Sequence, residues 1–229
     1  MTDPAASLQR SLRADRFHTG VRLAAMILWF VTIVVVFYVL RLLAQVVLGA
    51  VTGIGIVLLI VLAVLLAQPL AWWVEQQLIT RWPSGRAVQL EPGALHWRDR
   101  GPAARIDLGQ MVNFWRWRFA VRRRRGGRVP SGHTCFAIRL AQGDHDFSLY
   151  SFFPPASAEA LGARYAFYEL RRANDETKIA LGGRDAIYLA AEHSRWDTGA
   201  ELDPADFEAL LAHLAAHLPE FGKAPASSL

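Results

Sequence analysis

From Leu23 to Val74 the chain runs 52 residues with a single charge, Arg41. A straight helix of that length would reach about 78 Å at 1.5 Å per residue. The hydrocarbon core of a bilayer is only about 30 Å thick and takes about 20 residues to cross. Two crossings joined by a tight turn use the length well. The pattern predicts helices over about 22–45 and 53–74, within a membrane hairpin bounded at 22–75. Gly49, Gly53 and Gly55 fall in or beside the turn and are expected to serve helix packing. Arg22 and Arg41 can snorkel to headgroups, and Trp72 and Trp73 read as an aromatic belt. A soluble core helix would carry more polar residues, and a signal-peptide apolar region would be shorter.

Arginine on the flanks sets the expected topology. Arg10, Arg13, Arg16 and Arg22 precede the hairpin, Arg81 and Arg86 follow it, and the connection has only Arg41. The positive-inside rule then puts both termini in the cytoplasm, with the chain as a multi-pass protein of the cell (inner) membrane. The net charge of +5 hides an asymmetry. Residues 81–130 hold twelve arginines and three acids, whereas residues 131–229 hold eight cations and fourteen acids. A basic block beside a membrane suggests contact with anionic headgroups. Nucleic acid is the competing partner for such a block and is disfavoured by tethering. The single cysteine, Cys135, excludes an intrachain disulfide.

Past Glu75 the pattern changes. Residues 1–21 read as a tail and 76–85 as a linker. A folded domain is expected over 86–221, with a disordered end at 222–229. Short runs with period-two character are separated by turn signals. The runs are Arg86–Leu90, Ala94–Trp97, Ala103–Leu108, Met111–Val121, Thr134–Ala141 and His145–Phe152. The turns include Pro92-Gly93 and Gln142-Gly143-Asp144. Leu161, Tyr165 and Tyr168 predict a helix over 157–172. Asp203 and Pro204 mark the start of another over 204–218, with Phe207, Leu210, Leu211, Leu214 and Leu218 on one stripe. Around Gly182-Gly183 the pattern fits either a hairpin turn or the approach to a short helix. The fold class expected is α+β: a two-helix transmembrane hairpin, then a small antiparallel sheet or barrel with C-terminal amphipathic helices.

A membrane hairpin, a meander of short strands and a closing helix resemble the bacterial pleckstrin-homology-like (PH-like) membrane proteins. The resemblance rests on Ala87–Leu90, the Pro92-Gly93 turn, Ala94–Arg98 and Arg105-Ile106-Asp107-Leu108. It covers residues 86–153 and extends to the helix at 204–218. It implies a scaffold, assembly or regulatory role at the membrane, without a shared catalytic set.

The most unusual stretch is Phe114-Trp115-Arg116-Trp117-Arg118-Phe119, followed by Arg122, Arg123, Arg124, Arg125 and Arg128. On a strand, Trp115, Trp117 and Phe119 share one face while Arg116 and Arg118 share the other. Besides single-stranded nucleic acid bound by stacking, which no RNA-binding motif supports, two readings stay open. One is a core strand with a solvated basic face; the other is a contact region for anionic lipids or an acidic protein surface, suited to bidentate guanidinium donors. Asp144-His145-Asp146 converge poorly for a metal. His213 and His217 have metal-compatible i, i+4 spacing but no Glu between them. Cys135 reads as a core residue, and Ser131 and His133 lack a nucleophile-elbow pattern. No cofactor or catalytic residue is assigned. The expectation is a non-enzymatic membrane-anchored scaffold, assembly factor or accessory subunit with a membrane-protein partner. A lipid-binding regulatory module is the alternative, and an enzyme with an unrecognised site a third.

Overall fold

The computed structural model describes residues 10–15, 18–49, 53–99, 103–121, 129–170 and 183–221. The chain divides into two compact units. One is residues 16–84; the other combines residues 1–15 with 85–229.

The first unit is a helical hairpin of α1 (Thr19–Leu48) and α2 (Ile54–Arg81). Both helices are long and apolar enough to cross a membrane. At 1.5 Å per residue they measure about 45 and 42 Å. Leu42, Leu58 and Leu65 are each more than 60% exposed, as the apolar faces of lipid-embedded helices are. Ala63 and Ala67, one turn apart, are fully buried; such small side chains let two helices approach closely. The Trp29 indole N–H donates to Gln68 Oε1 across the helices at 2.8 Å. At the open end, His18 meets the edge of Trp82 at 5.5 Å. Gly49 and Gly53 are turn residues rather than packing residues: their φ angles of +76° and +57° suit a residue without Cβ. The expected linker is also partly helical. α2 continues through Glu75-Gln76-Gln77-Leu78, which hold no helix breaker, and stops two residues before Pro83.

The second unit holds two sheets. The first has the order β1 (Arg10–Arg13), β2 (Ala87–Glu91), β3 (Ala94–Arg98), β4 (Ala104–Asp107), all antiparallel. The second is built on the meander β5 (Asn113–Ala120), β6 (Thr134–Gln142), β7 (His145–Phe153). Two-residue strands extend it in parallel, β8 (Tyr168–Glu169) beside β5 and β9 (Ala200–Glu201) beside β7. Both expected hairpins form. Glu91 pairs with Ala94 around Pro92-Gly93, with Gly93 at φ +75°, the type II arrangement of Pro then Gly. Gln142 pairs with His145, and Gly143 takes φ +58° at the first central position.

The sheets do not close into a barrel. The backbone ladder ends at Asp107, and a side chain bridges the gap. Gln142 accepts from the Asp107 N–H at 2.8 Å and donates to the carbonyls of Asp107 and Met111 at 2.9 and 3.3 Å. Between the sheets lies one core. Leu12, Val88, Leu95 and Ile106 meet Phe136, Ile138, Leu149 and Phe153, and α5 (Pro204–His217) adds Phe207, Leu210, Leu211 and Leu214. Each such side chain contributes roughly 1.5–3 kcal/mol on burial.

Three further expectations change. Residues 10–13 are a strand, not tail. The helix expected over 157–172 is α3 (Pro155–Arg164), and Tyr165 is already extended. The chain leaves the helix because the edge of β5 offers unpaired backbone: the Leu170 N–H donates to the Arg118 carbonyl at 2.8 Å. Residues 183–198 resolve as helix α4 (Gly183–Thr198). Residues 222–229, expected as a disordered end, lie outside the described residues.

β1 is joined to the domain by more than its ladder. Arg86 donates to Asp99 through Nε (2.9 Å) and Nη2 (2.8 Å), and to Asp15 Oδ2 through Nη1 (2.8 Å). Its guanidinium lies 5.7 Å from the Trp97 ring. Asp15 in turn accepts from the Glu201 N–H at 2.8 Å and holds φ +51°. The two carboxylates raise the Arg86 pKa well above its ordinary value. Arg86→Ala would leave both carboxylates facing each other without their cation. The expected loss is about 2 kcal/mol, read as a lower urea midpoint in mild detergent. Arg86→Lys recovers only part of it, since an ammonium lacks the fork that engages two acids. An unchanged midpoint in Arg86→Ala would show that this cluster holds nothing together.

Candidate functional site

Strand β5 carries the Trp–Arg alternation, and the two faces part as its period requires. Both faces are covered, however, and this corrects the expected solvated basic face. Arg116 is buried. One Nη donates to the Phe221 carbonyl, and the guanidinium lies 4.5 Å from the Phe221 ring and 5.5 Å from that of Phe114. Burial lowers its pKa. Arg116 therefore fastens the segment that follows α5 to the sheet, and its side chain is spent inside the fold. Arg118 is about one-third exposed and sits 3.6 Å from Glu169. Gly162 of α3 approaches it so closely that a Cβ there would collide with the guanidinium.

On the opposite face Trp117 is fully buried, which also removes it from any contact surface. Trp115 is half-buried below the Arg139 guanidinium, 5.3 Å away, and Arg139 engages both oxygens of Asp146. Asp146 is thus committed to an arginine. Arg122, Arg123, Arg124, Arg125 and Arg128 lie outside the described residues. The flanks of that segment are bonded to each other, the Val121 N–H donating to the His133 carbonyl at 2.7 Å. In the hairpin unit, Arg22 and Arg41 are exposed on α1. Trp72 and Trp73 are exposed on α2, two turns before its end.

What covers Trp117 is helix α4, and beneath it lies a polar cluster that sequence reasoning missed. The Trp117 indole N–H donates to Glu192 Oε2 at 2.8 Å. Arg195 engages the same carboxylate bidentately, at 2.8 and 2.6 Å, and both side chains are about 5% exposed. The Arg195 guanidinium lies 4.5 Å from the Tyr150 ring and 5.6 Å from Phe119. Burial pushes the Tyr150 hydroxyl up to about 12, with Glu201 adding and Arg195 opposing. Cys135 is fully buried in the same cluster. The register explains the convergence. Trp117, Ala137 and Tyr150 form one row across β5, β6 and β7, and Phe119, Cys135 and Phe152 the next. Glu192 and Arg195 stand one helical turn apart above them. One signal in the sequence pointed here: a buried tryptophan needs an acceptor for its N–H, and Glu192 stands among the apolar Tyr188, Leu189 and Ala191.

This arrangement is an electrostatic fastening. Both Glu192 oxygens accept hydrogen bonds, and the guanidinium is held between carboxylate and aromatic faces. Among known proteins no family model, no curated protein and no solved structure matches this chain.

The His213 and His217 rings meet tilted, centroids 4.4 Å apart, on α5, and His217 Nδ1 lies 2.9 Å from the His213 carbonyl. Burial, then the neighbouring His217, lowers the His213 pKa from its ordinary 6.5. A group with a lowered folded pKa is favoured neutral in the native state. Its contribution is present above pH 6.5 and is lost as pH falls through the folded value. The melting temperature should therefore drop between pH 7 and 5 by more in the native protein than in His213→Gln. Parallel curves would exclude the linkage.

For the α4 cluster, Glu192→Ala strands a buried guanidinium and is expected to cost about 3 kcal/mol or more. Glu192→Leu combined with Arg195→Leu should cost less than either single change. The Cys135 thiol, inaccessible in the native protein, should react faster with maleimide in Glu192→Ala. Additive costs with no gain in thiol reactivity would mean that the pair does not hold α4 down.

Proposed function

We propose that this chain is a membrane-anchored, non-enzymatic scaffold or accessory subunit, with a PH-like sheet domain on the cytoplasmic side of the cell membrane. The observation that carries this reading is the pairing of β1 with β2. β1 precedes the hairpin and β2 follows it, yet Arg10–Arg13 and Ala87–Leu90 are register partners in one ladder. One sheet cannot be assembled from both sides of a bilayer. Two crossings return the chain to its starting side, as the ladder demands. The arginine-rich flanks make that side the cytoplasm.

The PH-like reading draws support from the plan of the domain. Four antiparallel strands are followed by a three-strand meander, and α5 packs into the core between the sheets. A scaffold role draws support from how the interior polar groups are spent. Trp117, Glu192 and Arg195 bond one another, and Arg86 gathers Asp15 and Asp99. With Arg116 and Trp117 interior, the proposed contact region is the arginine segment at 122–128.

The test is purification of the tagged full chain in mild detergent, with mass spectrometry of what accompanies it. A stoichiometric membrane-protein partner that survives high salt is the expected result. A clean single species, or a partner lost with modest salt, would sink the scaffold reading and favour anionic lipid on Arg122–Arg125. In the same cells, cysteine labels at residues 5 and 225 should be protected together from a membrane-impermeant reagent. Protection of only one would overturn the topology.

A further inference from the structure

The hairpin is not uniformly apolar. Near its open end a groove of about 780 Å³ runs between the helices, lined by Met26, Trp29, Gln68, Pro69, Trp72 and Glu75 among others. The α2 residues are spaced 68, 72 and 75, one face of a helix, and Arg22 lies on the same face of α1 one turn beyond Met26. Glu75 is the one acid in either helix. The groove thus combines a carboxylate, an amide, two indoles and apolar walls, with a guanidinium on its stripe.

Depth identifies the surroundings. About 20 residues cross the hydrocarbon core. Counted from the turn end, at Leu48 and Ile54, that length reaches Trp29 on α1 and Trp73 on α2. The tryptophans mark the boundary between chains and headgroups. Glu75 and Arg22 then lie at headgroup level. Gln68 is seven residues deeper than Glu75, about 10 Å along the helix. Its carbonyl oxygen is occupied by the Trp29 N–H, an arrangement that fixes the amide and leaves its nitrogen as the donor end.

We propose that this groove holds one phospholipid with a zwitterionic primary-ammonium headgroup, of the phosphatidylethanolamine type. The ammonium donates to the Glu75 carboxylate, Arg22 meets the phosphate, the Gln68 amide donates to ester oxygen, and an acyl chain follows Met26 and Pro69. A trimethylated ammonium has no N–H to give Glu75, and a glycerol headgroup carries no cation for that carboxylate. Selectivity for ethanolamine over choline and glycerol headgroups follows. The inference rests on the membrane reading of the hairpin.

The full chain would be reconstituted in nanodiscs containing equal parts phosphatidylethanolamine, phosphatidylcholine and phosphatidylglycerol, re-extracted gently, and its retained lipid quantified. Ethanolamine lipid should exceed choline lipid about fivefold, the ratio that one net hydrogen bond supports. Glu75→Gln should bring the ratio near one, and Gln68→Leu should lower total retention. Arg81→Gln, beyond the groove on α2, should retain the native ratio, and far-UV circular dichroism confirms the helices of each variant. Equal retention of the three lipids, enrichment of the glycerol lipid, or a native ratio in Glu75→Gln overturns the proposal. So does cross-linking of Met26→Cys between copies, which would seat a second chain in the groove. Failure of the underlying membrane reading looks different: the protein would be recovered without detergent in the aqueous fraction.

Discussion

One guanidinium stands where the chain leaves the domain for the hairpin and where it comes back. Asp15 is the last residue of the domain before the helices and Arg86 is almost the first after them. Their ion pair, shared with Asp99, closes a loop of some seventy residues at its neck. Without it, β1 would be a four-residue edge strand held by its ladder, the Asp15 N–H bond to Glu201 and the exposed Arg10–Asp206 pair, and short edge strands fray readily. With it, Leu12 is delivered to the core fully buried, the Ala14 N–H bonds the Arg86 carbonyl, and Asp15 reaches across to Glu201 of β9. The left-handed backbone at Asp15 fits the same logic. An aspartate tolerates that conformation better than most residues, and its carboxylate is turned back into the cluster.

Two charged clusters therefore fix the placing of one strand and one helix of the domain. Arg86 gathers the first sheet and the tail. Glu192 and Arg195 hold α4 on the outer face of the second. Each places charged groups where the solvent is largely excluded, and each compensates by using every carboxylate oxygen as an acceptor or nearly so. The cost of desolvating such pairs makes them poor sources of net stability, but it makes misplacement expensive. They specify where a strand and a helix go more than they add to how firmly the whole holds.

Much of this was legible because local chemistry and tertiary structure agree. The six strands from Arg86 to Phe152 appear within one or two residues of their expected bounds. Period-two alternation and the Pro92-Gly93 and Gly143-Asp144 turns point to the same ladders. The two long apolar helices are legible from the uncharged run alone. The failures have a common cause. Arg10–Arg13 has no strand pattern of its own, since only Leu12 faces inward; its partner lies more than seventy residues away. The helix expected past Arg164 gave way to backbone pairing with β5, a demand invisible from residues 165–170. The alternation of Trp and Arg in β5 was assigned correctly to two faces, but alternation cannot say that both faces are covered. Arg116 shows this most sharply: a charge on a strand reads as solvent, unless one knows that Phe221 arrives above it.

The same blindness bears on where function resides. The residues that drew attention in sequence, Arg116 and Trp117, are interior, and their chemistry is spent within the fold. Attention moves to groups whose chemistry is not consumed by packing. In the hairpin these are Glu75 and the nitrogen of Gln68, which line one groove with Trp29 and Trp72. An acid at a membrane boundary is costly unless something meets it. Elsewhere in the chain acids near apolar surroundings have arginine partners: Asp15, Asp99 and Asp146 each take one, and Glu192 takes Arg195. Glu75 shares its groove with indoles, an amide and a proline, and Arg22 stands on the same stripe, so the hairpin offers one anion and one cation to what fills the groove. On the proposed membrane reading, a zwitterionic headgroup answers both charges at once, its ammonium meeting Glu75 and its phosphate meeting Arg22.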